Sequence, residues 1–167
     1  MSLKRPDGPE ALVAPMYFIA FLLTATPVMD FVTSVLPMRT ADIEWRFASV
    51  GLLSGFLLTP LLGIGLAVAV AQLAGHERFQ RVVSLVNLSL TLVFVALLVA
   101  FLLDVLQLRN AVQAEAQEAF MSAAVKAVIK HVSFVVALGF LGWRGFRMSR
   151  WTLPEARRQQ ASVVVGG

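Results

Sequence analysis

Four long apolar stretches, separated by short polar ones, run through this sequence between residues 11 and 148. The first ten residues are polar and carry Lys4, Arg5, Pro6 and Pro9, which reads as a short tail. Residues 11–36 form the first apolar run, longer than the roughly 20 residues a membrane-spanning helix needs. No small-residue cleavage signature follows it, so it is read as an uncleaved span rather than a signal peptide. Pro15 falls in its first turns, where proline is tolerated, and Pro27 predicts a kink. A polar loop over 37–44 leads into a second run, 44–74, and a charged turn with His76, Glu77 and Arg78 into a third, 81–108. From Leu90 to Leu103 that third run has no charge, and Thr91 is its only polar side chain.

The fourth element has a different pattern. It opens polar and alanine-rich (Gln113, Glu115, Gln117, Glu118), then turns apolar with Lys126, Lys130 and His131 as interruptions. Alanine and the straight-chain polar residues favour helix, and no glycine or proline intervenes between Ala111 and Leu138. The pattern predicts one helix over 110–148, about 58 Å long at about 1.5 Å per residue, against a hydrocarbon core of about 30 Å. Its first third is expected to protrude from the membrane. Residues 152–167, with Pro154, Arg157 and Arg158, are expected to be a tail disordered at its end. The expected fold is therefore an all-α membrane protein: a four-transmembrane-helix antiparallel bundle within residues 11–151, its fourth helix extended beyond the bilayer.

Composition agrees. The chain is 58% hydrophobic and 14% charged, and its mean hydropathy is +0.79, whereas a soluble domain is about half apolar and about a quarter charged. There are no cysteines among the 167 residues. That excludes disulfides, cysteine-ligated metals and thiol chemistry. The net charge of +4 does not suggest nucleic acid, because the basic residues sit at the ends of apolar runs and no aromatic residues interleave with a basic patch. In a four-span chain one side would hold nine cations: Lys4, Arg5, Arg78, Arg81, Arg144, Arg147, Arg150, Arg157 and Arg158. The other would hold five: Arg39, Arg46, Arg109, Lys126 and Lys130. The positive-inside rule then puts both termini in the cytoplasm, with the chain in a bacterial inner membrane. Trp45, Arg46, Trp143 and Trp151 are placed to anchor the interfaces.

Four features could carry function. In the second run Gly51, Gly55, Thr59, Gly63, Ala67, Ala71 and Gly75 recur every four residues, all of them small. Such a stripe lets two backbones approach closely in lipid, and it is read as a helix-packing face, preferentially against the chain's own helices. Thr59–Pro60 interrupts that run, which is read as a structural kink rather than an ion-binding break. Asp30, Asp104, Lys126 and Lys130 are the candidate buried ion pairs; interfacial salt bridging is favoured over a proton relay. His131 is the one histidine expected at membrane depth. It has the chemistry to ligate haem or chlorophyll, but a hydrogen-bonded interface histidine is the preferred reading, and no cofactor or metal is assigned. No phosphate loop, dinucleotide fingerprint, zinc-protease motif or nucleophile elbow occurs, so the chain is not read as an enzyme.

One stretch, 36–71, with its short loop, Glu44–Trp45–Arg46 start and Gly/Pro-rich run, resembles four-span proteins of the cyanobacterial hormogonium-polysaccharide type. The resemblance implies a small bacterial four-span protein of non-enzymatic kind and carries no site residues. The expected function is that of an accessory or structural subunit of a larger membrane complex, with respiratory and photosynthetic assemblies as candidates. Its expected partners are lipids, other membrane subunits and, in some arrangements, further copies of itself. The alternative is a small ion or solute transporter or channel working as an oligomer, resting on Pro60 and the Asp/Lys set.

Overall fold

The structure, a computed structural model, describes the backbone of residues 10–165 and the side chains of residues 11–147. All its regular elements are helices: α1 Glu10–Val35, α2 Ile43–Phe56, α3 Leu58–Leu73, α4 Glu77–Leu108 and α5 Ala114–Val165.

Local chemistry sets most of the boundaries. Asp42 caps α2, its carboxylate accepting from the backbone N–H groups of Glu44 at 2.9 Å and Trp45 at 3.3 Å. Glu44 in the first turn adds a favourable charge at the positive end of the helix. The second apolar run is not one helix. It divides at Leu57, and α2 and α3 meet at 47°. Pro60 is the physical cause: it has no N–H for the carbonyl of Phe56, and its ring collides with that carbonyl in a straight helix. With the chain bent, Pro60 becomes the third residue of α3, where an N–H has no helical partner anyway. At its far end α3 stops in a Schellman turn. Gly75 takes φ +67°, and the His76 N–H reaches back to the carbonyl of Ala71 at 2.9 Å.

Two other boundaries differ from expectation. α4 begins at Glu77 rather than residue 81, so the charged turn is largely helical. The long last helix begins at Ala114 rather than residue 110. The chain uses 109–113 to reverse direction, with the N–H groups of Ala111 and Val112 both on the carbonyl of Leu108 at 2.9 and 3.0 Å. The turn contains neither glycine nor proline, and Asn110 is its one turn-favouring residue. At the other end α5 runs on to Val165 through residues that were expected to form a separate tail. Glu155, Ala156, Arg157, Arg158, Gln159 and Gln160 are all good helix formers. α1, by contrast, passes Pro27 as one continuous helix.

Among the described residues, three helices are long and apolar enough to cross a membrane: Ala11–Val35, Glu77–Leu108 and Ala114–Arg147, with mean hydropathies of 1.8, 2.6 and 1.8. The bent pair α2–α3 is a fourth such segment if it is counted as one broken span. Large apolar side chains such as Phe18, Phe21, Leu92, Val136 and Phe140 point outward, the pattern of helices solvated by lipid tails rather than water. The interior is thin. One cluster joins Phe101, Val105, Ala124 and Ala127 between α4 and α5. A second joins Leu57, Phe134 and Leu138 beneath the α2–α3 bend. The described residues thus form an all-helical protein whose three or four apolar segments could span a membrane, consistent with a multi-pass membrane protein.

Candidate functional site

Close approach of helices happens at places the small-residue stripe only partly marks. A Cβ added at Gly63 would meet the Ala20 carbonyl at 2.7 Å and Leu23 Cβ at 3.1 Å, with Thr24 Oγ1 also in its way, so α1 and α3 touch there through backbone. Ala71 is completely buried on the same helix and Ala67 half-buried. Gly51 and Gly55 have open space where a Cβ would be, and Thr59 is exposed. The 47° bend rotates the α2 half of the stripe out of line with the α3 half. Gly75 belongs to the turn and faces nothing. The packing glycines that sequence reading overlooked are on α5. A Cβ on Gly142 would meet Leu88 at 2.9 Å, one on Gly145 would meet Ser84, and Gly139 faces Thr91 at 3.6 Å. Their G-x-x-G-x-x-G spacing was the available signal. Ser84 and Thr91 return their hydroxyl protons to the carbonyls of Gln80 and Asn87, each at 2.7 Å.

The charged set divides differently from expectation. Asp104, only 6% exposed, is held by Arg46 in a two-pronged contact, Nε to Oδ2 at 3.0 Å and the terminal nitrogen to Oδ1 at 2.7 Å. Arg46 also donates to the Thr40 carbonyl at 3.0 Å, tying the 37–42 loop to α4. The arginine read as an interfacial anchor is therefore the aspartate's partner. A guanidinium fork matches a carboxylate better than an ammonium does. The side chains of Asp30, Lys126 and Lys130 stand exposed, with no hydrogen bond or ion pair to the described residues, although the Asp30 carbonyl accepts from Thr33 and Ser34. Trp45 is half-buried and Trp143 exposed, while the side chain of Trp151 lies outside those described.

His131 is enclosed completely, against the rings of Phe94 and Phe101 at centroid distances of 6.3 Å each. Its Nδ1 lies 3.0 Å from the Ala127 carbonyl, which fixes that nitrogen as the donor, and its Nε2 has no partner. A porphyrin or chlorin ring would have to approach Nε2 along its lone pair, and packed side chains occupy that approach. The geometry is that of an interface histidine. Among the described residues no cluster of three or more metal-ligating side chains occurs.

Several grooves open outward, two of them walled by residues already described. The larger, about 600 Å³, lies between α1, α3 and α4, with Phe21, Thr24, Ala67, Val83 and Asn87 among its walls. At its mouth Tyr17 Oη and His76 Nδ1 are 3.0 Å apart, and Phe79 packs edge-on against the phenol. Asn87 is 1% exposed and its Nδ2 has no partner. The smaller, about 310 Å³, sits under the α2–α3 bend and is walled by Ser54, Gly55, Leu57, Lys130, Ser133 and Phe134. Both are walled mainly by apolar side chains. Compared with known protein families, curated proteins and solved structures, the chain matches none.

Proposed function

We propose that this protein is a non-catalytic accessory or structural subunit of a larger bacterial membrane complex, respiratory and photosynthetic assemblies being the candidates. The reading takes α1, the bent pair α2–α3, α4 and α5 as four antiparallel spans, both termini cytoplasmic. The observation that carries it is the length of α5. Its 52 residues amount to about 78 Å of helix, against a hydrocarbon core of about 30 Å. A helix that long presents surface beyond the bilayer for another subunit to dock on. The Arg46–Asp104 pair supports the same reading against a transporter, since the buried carboxylate is already neutralised by a fixed partner.

Solubilising native membranes in a mild detergent and separating the extract on a native gel tests this. The chain is expected in a band many times heavier than its own 18.2 kDa, together with redox or pigment proteins. Recovery as a homo-oligomer alone that conducts ions in liposomes overturns the proposal.

A further inference from the structure

Pairing Arg46 with Asp104 leaves three charges over, and two of them stand at one depth. Phe31 touches Phe56, ring centroids 6.4 Å apart, which puts its neighbour Asp30 level with the α2–α3 bend. Lys130 lines the groove at that same bend, beside Gly55 and Leu57. Both side chains are exposed, and both lie within helices apolar enough to span a membrane. They are on opposite flanks: α1 and α5 make no contact with each other among the described residues. A charge facing lipid at depth is costly and is normally paired or wetted. Among the described residues neither is paired within one chain.

We infer that copies of this chain associate side by side in the membrane, the α1 face of one, carrying Asp30, seating on the α5 face of the next, carrying Lys130. The bilayer holds all copies in the same orientation, so equal depth within one chain becomes equal depth across the contact. The low dielectric strengthens the attraction. The contact joins two different faces, so it is head-to-tail and propagates in the membrane plane, as a ring where the rotation closes and as a row where it does not. A two-fold contact through either face would bring like charges together. The smaller groove beside Lys130, with small Gly55, Ser54 and Ser133 in its walls, leaves room for side chains of a neighbouring α1. This inference goes beyond the accessory-subunit reading and does not rest on it, because it concerns the purified chain alone.

The absence of cysteine makes the test direct. In reconstituted vesicles, a chain carrying both Thr26→Cys and Ser133→Cys, which are exposed about one turn from the two charges and leave them in place, is expected to give a ladder of linked oligomers with a bifunctional thiol reagent, and Thr26→Cys alone to give none. Asp30→Lys and Lys130→Asp are each expected to weaken association at least ten-fold by single-molecule photobleaching or cross-linking, and the two together to restore it. The neutral variants Asp30→Asn and Lys130→Gln are expected to weaken it equally, and they decide the matter should a reversed charge prevent insertion. The inference is overturned if the cysteine pair does not cross-link, or if the double reversal does not rescue. It is also overturned if only the lysine variants matter and the effect follows the content of anionic phospholipid, which would assign Lys130 to a lipid headgroup.

Discussion

At the scale of single residues, the described side chains separate into those whose removal exposes a partner and those whose removal relieves one. Asp104→Ala strands the Arg46 guanidinium. It is expected to cost about 2 kcal/mol, in the range for hydrogen bonds to charged groups, and less than a fully buried pair because Arg46 is 36% exposed and screened. Thermal unfolding in detergent reads this out. Replacing both partners with leucine is expected to cost less than either single change, since no charge is then left unpaired. Asn87→Leu is expected to be neutral or to stabilise by about 1–2 kcal/mol, because it removes an amide whose Nδ2 is buried without a partner. A clear loss of stability on that change would mean that the amide has a partner in the membrane. The glycines divide in the same way. Gly63→Val is expected to cost about 1–3 kcal/mol by overpacking against the Ala20 carbonyl. Gly55→Ala meets nothing and is expected to be neutral or to gain up to about 1 kcal/mol in helix propensity. Spacing alone put both in one stripe. Only the three-dimensional path of α2 and α3 separates them.

At the scale of elements, the bend between α2 and α3 is the feature with the clearest single cause. Pro60→Ala restores an N–H for the Phe56 carbonyl and removes the ring clash. The 47° bend is expected to diminish, lengthening the distance between spin labels placed near the start of α2 and the end of α3, as measured by pulsed electron resonance. An unchanged distance would assign the bend to packing against α1 and α5 instead. The helix ends show what was legible and why. Asp42 and Gly75 mark their boundaries by residue type, because a side-chain cap and a positive φ each demand particular chemistry. The turn at 109–113 is closed by main-chain hydrogen bonds that any residue can make, and Asn110 alone gave only a weak sign of it. Pro27 is the converse, a strong local signal for a kink inside a helix that runs unbroken from Glu10 to Val35.

At the scale of the whole molecule, topology can be measured on the same cysteine-less background. Met38→Cys, in the loop between α1 and α2, is expected to react with an impermeant maleimide in intact cells. Arg78→Cys, at the start of α4, is expected to react only after permeabilisation. Labelling of both from one side would overturn the four-span reading and the cytoplasmic placement of the termini. What the sequence determined by itself is the class: an all-helical chain whose apolar runs are long enough to cross a bilayer. That follows because every peptide group must be satisfied within its own helix where there is no water, and the required apolar length is a local property. What only the tertiary structure decided is which residues meet. Asp104 was legible as a buried charge, but its partner could be read as a lysine of α5 until the fold set Arg46 beside it. The stripe was legible as small residues, but Gly63 packs and Gly55 does not, because a bend at one proline turns the two halves to different neighbours. Pairing depends on helix rotation and depth, which are set by the sum of many contacts between distant segments and leave no periodic trace in any one of them.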